Sequence, residues 1–306
     1  MAATTGLGVL SSAALGDLSR RVDHAHAAVA ASAIAAPPAP TEDPGGEAVG
    51  EADATAATIV KPPSAVPTTT STAPPPPPPA TGPLKVVFLG DSVAQTTAAA
   101  LQPVSSAYGV SIFNRGILGC GVVRTAPYRY FGQLYGTVPT GCESWPQTWR
   151  ASVEQDRPDL TVVLVGRWEL MDRMVGTRWL SIGTPEFDAD VASSLDTAIA
   201  AAAGIGGRVV LATTPYYRRG PRPDGGTWPE DDPARVDRFN ALLREAAARH
   251  RGVAVVELGE RLSVDGRLAM TIEGLRVRTD GVHVAPEAGL LLAPWLLPQL
   301  RAIADS

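Results

Sequence analysis

The chain has 306 residues, but all six Trp, all six Tyr and all five Phe lie after residue 83, whereas residues 1–83 hold 14 of the 28 Pro. A stretch so rich in proline and lacking aromatics cannot build a core, which leaves residues 84–306 as one sizeable folding unit. The net charge of −5 sits mostly in the first 83 residues, with three basic and seven acidic side chains against 23 and 24 in the remainder; so even a balance gives no electrostatic footprint for nucleic acid.

In chain order, residues 1–35 come first. Met1 to Leu15 is weakly apolar, has no basic residue ahead of it and is followed by Arg20-Arg21. It makes a poor signal peptide, and the alternative is the remnant of a membrane helix and hence a candidate anchor. No apolar run reaches the roughly 18–20 residues of a spanning helix. Residues 36–83, with the run Pro74 to Pro79, read as a disordered, extended polyproline-type spacer.

From Leu84 the texture changes to short apolar runs alternating with helical patterns, the signature of a parallel sheet. Strands are expected at Lys85–Leu89, Gly109–Phe113, Leu160–Val165, Gly207–Ala212 and Val253–Glu257. Helices are expected at Ser92–Ala107, Phe187–Ala203, Asp232–Arg249 and Pro286–Ile303. Cys120 and Cys142 lie in a loop-like stretch rich in Gly and Pro, without the paired spacing of a zinc site. They form either one disulfide, which implies an oxidising compartment, or two buried thiols.

In open parallel sheets the chemistry lies at the carboxyl ends of the strands. After the first strand comes Gly90-Asp91-Ser92, with Ser92 at the mouth of the following helix. A serine there is either a helix cap or a nucleophile whose oxyanion would meet its own N–H and the helix dipole. A serine nucleophile needs a base, and the folding unit offers only His250 and His283. His250 ends a helical pattern, where it complements the dipole. His283 follows Asp280 by three residues on a turn, so Asp280 can orient the imidazole and His283 can take the Ser92 proton. Asp91 is expected to order the turn.

These residues resemble the first and last blocks of the SGNH (GDSL-type) hydrolases. The second block is also visible, as Asn114-Arg115-Gly116-Ile117-Leu118-Gly119, where Gly119 matches the glycine whose N–H helps to form the oxyanion hole. The resemblance implies a three-layer α/β/α, flavodoxin-like fold of about five parallel strands, and an oxyanion hole built from the Ser92 and Gly119 N–H groups. The third block departs. Where the family has Gly-x-Asn, this chain has Gly166-Arg167-Trp168-Glu169, so Arg167 or the Trp168 indole must replace the missing donor, or activity is weak.

The spacer, the cysteine pair and the altered third block also resemble the SGNH domains linked to membrane acyltransferase-3 proteins that modify envelope glycans. That resemblance implies an extracytoplasmic esterase or O-acyltransferase acting on an acyl ester or acylated glycan, with an acyltransferase-3 partner or a missing fused domain. The chain is expected to be a monomer. The other reading is a catalytically weak or inactive glycan-binding module. Tyr216, Tyr217, Arg218 and Trp228, on the loop after the fourth strand, are candidate substrate contacts; Tyr128, Tyr130, Trp145 and Trp149 either shape an acceptor groove or form a minor core. No metal constellation is visible, and Gly-Asp-Ser-Val lacks a phosphate cradle, so no cofactor is expected.

Overall fold

The computed structural model describes residues 82–204 and 207–306. The expected N-terminal segment 1–35 and the spacer up to residue 81 lie outside the described residues. The centre is a parallel sheet of five strands: β1 (Leu84–Gly90), β2 (Val110–Gly116), β5 (Leu160–Leu164), β8 (Arg208–Ala212) and β9 (Val253–Val256), in the order β2-β1-β5-β8-β9. All four pairings are parallel, with Val86 of β1 opposite Ile112 on one side and Leu160 on the other. The strands read as continuous apolar runs because both faces are covered, and every residue of β5 is buried.

The covering helices are α1 (Ser92–Ser105), α2 (Trp145–Asp156), α3 (Pro185–Ala202), α4 (Pro233–Arg249) and α5 (Ala288–Asp305). α1 packs on α5, and α3 packs on both α2 and α4. The strand order reverses at β1, so right-handed crossovers put these two groups on opposite faces. This is the expected three-layer α/β/α architecture, and its switch point falls between β1 and β5. The last helix begins at Ala288, after Glu287, two residues later than expected from Pro286.

Two features were not expected. α2 begins with Trp145-Pro146, which reads in sequence as a loop. A second, antiparallel sheet is built from β3 (Tyr128–Tyr130), β4 (Gln133–Tyr135), β6 (Arg173–Val175) and β7 (Arg178–Leu180), in the order β4-β3-β6-β7. It joins the segments that leave β2 and β5, so it stands beside the carboxyl ends of the main sheet.

Candidate active site

Ser92 owes its position to the two residues before it. Gly90 has φ +147°, and a Cβ there would sit 1.8 Å from the Leu164 carbonyl oxygen of β5, so only glycine lets β1 end this close to its neighbour. Asp91 then caps α1, its Oδ1 accepting the Val93 N–H at 2.8 Å. Ser92 is the first helical residue, largely buried, at the positive end of the α1 dipole. The cap function belongs to Asp91, which leaves the Ser92 hydroxyl for another partner.

That partner is His283, whose Nε2 is 3.0 Å from Ser92 Oγ. The other ring nitrogen, Nδ1, lies 2.9 Å from Asp280 Oδ2. An ionised carboxylate can only accept, so Nδ1 carries the proton and Nε2 of the neutral ring accepts from the serine. Asp280 Oδ1 meanwhile accepts the Val282 and His283 N–H groups at 3.0 and 2.9 Å, which fixes the turn. Burial opposes its ionisation, but the hydrogen bonds from the His283 ring and backbone outweigh it and hold the Asp280 carboxyl well below the usual range. Two further contacts seat the turn: buried Arg278 donates to the Val282 carbonyl at 3.2 Å, and Val284 N–H donates to Thr96 Oγ1 of α1 at 3.2 Å.

Gly119 lies on the loop after β2, which is tied to the end of β1 by Ile117 N–H donating to the Gly90 carbonyl at 2.8 Å. Among the described residues, neither the Gly119 nor the Ser92 N–H has a protein acceptor. The Trp168 indole stands next to Gly119, its Cζ2 atom 3.7 Å from where a Gly119 Cβ would lie. Its Nε1 is buried and has no partner. Arg167 makes no hydrogen bond to this loop. Its side chain is buried, with Nη1 donating to Asp231 Oδ1 at 2.6 Å and to the Glu230 carbonyl at 2.7 Å, while Nε and Nη2 have no partner. The attraction of Asp231, 64 residues on in sequence, thus engages one arm of Arg167, the first of the two candidate replacement donors.

Two buried carboxylates lie below this surface. Burial, reinforced by the negative charge of Glu169, pushes Asp91 up to about 7 against the Val93 and Ala94 N–H groups. Burial also raises Glu169, against the charge of Arg173 and the N–H groups of Val122 and Val123. Neither residue belongs to the Ser92–His283–Asp280 chain.

The candidate substrate residues are dispersed. Tyr217 is buried, hydrogen-bonded to the Thr214 hydroxyl and under the guanidinium of Arg167, so it is a core residue and not a surface contact. Tyr216 is half-buried and donates to Asp237 Oδ1 at 2.7 Å. Arg218 is exposed, but its backbone N–H donates to the Gly281 carbonyl at 3.0 Å, so its loop abuts the Asp280–His283 turn. Trp228 packs edge-on against Phe131 and lines a groove of about 570 Å³ with Arg129, Trp179 and Arg222. Trp145 and Trp149 are buried against each other and Tyr128 is buried as well, the minor-core outcome; Tyr130 is half-buried against Trp168. Cys120 and Cys142 form the disulfide. His250 caps α4 and pairs with Asp196 at 2.9 Å. No group of His, Cys, Asp or Glu suited to a metal ion occurs among the described residues.

A doubly wound α/β domain with a hydrogen-bonded serine, histidine and aspartate at its switch point is the class of protein that this fold and site define. Residues 63–298 match the family described as "SGNH domain (fused to AT3 domains)", and the chain belongs to that family. None of the curated proteins matches it. Among solved structures it is similar to a GDSL-like lipase from Bacteroides thetaiotaomicron, at 16% identity over 71% of this chain and 88% of the other, TM-score 0.46. It is similar to a carbohydrate acetylesterase from Sinorhizobium meliloti, at 16% identity over 72% and 99%, TM-score 0.44. A third similar structure is an aryl esterase from M. smegmatis, at 13% identity over 72% and 99%, TM-score 0.47.

Proposed function

We propose that this chain is a serine-dependent acyl-ester hydrolase or O-acyltransferase, acting on O-acetyl groups of cell-envelope carbohydrate. The observation that carries the reading is the continuous hydrogen-bonded chain from Ser92 Oγ through His283 to Asp280, at 3.0 and 2.9 Å. Ser92 Oγ attacks the ester carbonyl as its proton passes to His283 Nε2. The Ser92 and Gly119 N–H groups, both without protein acceptors, receive the oxyanion. Collapse of the tetrahedral intermediate breaks the ester bond, and His283 returns the proton to the leaving alcohol. Water or a glycan hydroxyl then attacks the acyl-enzyme as its proton passes to His283, the bond from the acyl carbon to Ser92 Oγ breaks, and His283 returns the proton to Ser92 Oγ. Asp280 stays ionised throughout and stabilises the imidazolium.

The carbohydrate substrate and an acyltransferase-3 partner rest on the family, whose members are described as fused to AT3 domains. An extracytoplasmic location is supported by the Cys120–Cys142 disulfide. The test is hydrolysis of a small chromogenic acetyl ester by the full chain, beside Ser92→Ala and His283→Ala. Turnover lost in both variants supports the reading. A folded parent without Ser92-dependent turnover, but retaining an acetylated glycan, favours the second reading. That reading is a glycan-binding module, and the observation for it is Trp168 standing where the family has its donor asparagine.

A further inference from the structure

The third block of this chain has lost its donor side chain, but the residue next to it is committed to the second block. Glu169 lies in a single 3₁₀ turn, Trp168–Leu170, and is fully buried. Its Oε1 accepts the Val122 N–H at 2.6 Å and, more weakly, the Val123 N–H at 3.4 Å. These amides are on the loop that carries Gly119. Between them and Gly119 the backbone runs so close to the carboxylate that a Cβ on Gly121 would lie 2.3 Å from Glu169 Oε1 and 2.6 Å from Trp168 Cβ. Glu169 Oε2 has no partner. A buried carboxylate with one oxygen unsatisfied is a costly way to fill space that an apolar side chain could fill. The contacts that it does make are with the loop.

The rest of the loop is held from the other side. Cys120 is bonded to Cys142, and the buried Trp145 indole donates to the Val122 carbonyl at 3.1 Å. Arg173 steadies the Glu169 turn itself by donating to the Trp168 carbonyl at 2.8 Å, and reaches the continuation of the loop ahead of β3 through the Thr125 carbonyl at 2.5 Å. Val122 is therefore gripped at both its N–H and its carbonyl, three residues beyond Gly119. The Glu169 and Trp145 hydrogen bonds together with the disulfide thus limit the movement of the segment that follows Gly119.

We propose that Glu169 is a positioning residue for the oxyanion hole: its carboxylate clamps the Val122–Val123 backbone and so holds the Gly119 N–H in line with Ser92, where the family pattern would add a side-chain donor. The inference rests on the acyl-ester reading of the Ser92 site. Oxyanion donors act only when aimed at the developing charge, and a displacement of about 1 Å can cost on the order of 10²-fold in rate. Such a residue should govern kcat and leave ground-state binding alone.

The experiment uses the full chain with Glu169→Leu, which removes the acceptor, Glu169→Gln, which keeps an oxygen at the same reach, and Gly121→Ala, which pushes the loop off an intact Glu169. On the chromogenic acetyl ester, Glu169→Leu and Gly121→Ala are expected to lower kcat by roughly 10- to 100-fold with KM within about twofold, and Glu169→Gln to recover most of the loss. Amide hydrogen exchange at Val122 is read in parallel. Its protection should be high in the parent and in Glu169→Gln, and low in Glu169→Leu. Parental kcat in Gly121→Ala, or a Glu169→Gln variant no better than Glu169→Leu, overturns the proposal, as does unchanged Val122 protection in Glu169→Leu. If Glu169→Leu does not fold, Gly121→Ala and Glu169→Gln decide. An inactive parent sinks the acyl-ester reading instead, and the Val122 exchange arm then still tests the clamp.

Discussion

The turns that end β1 and β5 start alike and finish differently. Each opens on a glycine with nearly the same backbone angle, φ +147° at Gly90 and +149° at Gly166, and each goes on to a buried carboxylate, Asp91 or Glu169. In the first, the carboxylate caps a helix of 14 residues, so the next side chain, Ser92, is presented at a helix N-terminus with its N–H free. In the second, the chain makes one 3₁₀ turn and enters the antiparallel sheet, so its carboxylate points back into the molecule and the residue before it is the half-buried Trp168. On the proposed reading, one backbone device supplies a reactive group at β1 and a brace at β5, and the element into which each turn leads, helix or sheet, decides which.

The sharpest way to break this comparison is to disable the first turn. Ser92→Ala should lower ester turnover by roughly 10⁴-fold or more, because it removes the nucleophile and leaves only the hole and binding. Asp280→Asn should come close to it, since an amide facing His283 Nδ1 favours the wrong tautomer. Both are measured as kcat on the acetyl ester. A Ser92→Ala enzyme within tenfold of the parent would mean that the chemistry lies elsewhere.

The first turn was legible in the sequence and the second was not, for a physical reason. Ser92, Asp280 and His283 declare themselves through local features: a Gly before a helix start, and an Asp three residues from a His on a turn. The five parallel strands declare themselves because burial on both faces forces unbroken apolar runs. Glu169 acts across 47 residues on a backbone amide, and a backbone amide leaves no mark in a sequence. Arg167 reads as a candidate oxyanion donor and Tyr217 as a candidate substrate contact because their partners in the fold, Asp231 and Thr214, are set by packing. The strands β3, β4, β6 and β7 have three residues each, too few for an alternation to show. Gly121 marks the close approach only once the fold is known, since a Cβ there would lie 2.3 Å from Glu169 Oε1.

The loop that links the two turns should respond next most strongly. Replacing Cys120 and Cys142 by serine opens a 22-residue loop, and is expected to cost about 3 kcal/mol of stability, read as a lower denaturant midpoint. A change within the error of the midpoint would mean that Glu169 and Trp145 hold the loop without the bridge. The buried carboxylate of the first turn gives a smaller effect with a defined sign. Asp91 is pushed up to about 7 by burial, so on raising the pH from roughly 4 to 7 the unfolded chain releases this proton before the native one. The native state binds more protons in that window, and Asp91's contribution to stability falls as pH rises. Asp280, held low, acts oppositely: its contribution is present above roughly pH 4 and is lost on further acidification. Asp91→Asn removes the first slope and keeps an oxygen for the Val93 N–H. The stability difference, parent minus variant, should therefore decline between pH 4 and 7; a difference independent of pH would mean that Asp91 is ionised at its ordinary value.

The smallest expected effect tests the second turn. Trp168→Phe removes the indole N–H while keeping a ring against Tyr130 and Gly119. Because Nε1 is buried without a partner, losing it strands no acceptor, and the cost is confined to the packing of a smaller ring. The Ser92 and Gly119 N–H groups remain, so kcat should fall by no more than about threefold, against the 10²–10³ expected for an oxyanion donor. A loss in that larger range would show that the indole swings onto the oxyanion during reaction. The turn after β5 would then present a donor as well as a brace, and the contrast with the turn after β1 would narrow to the length of the helix beyond it.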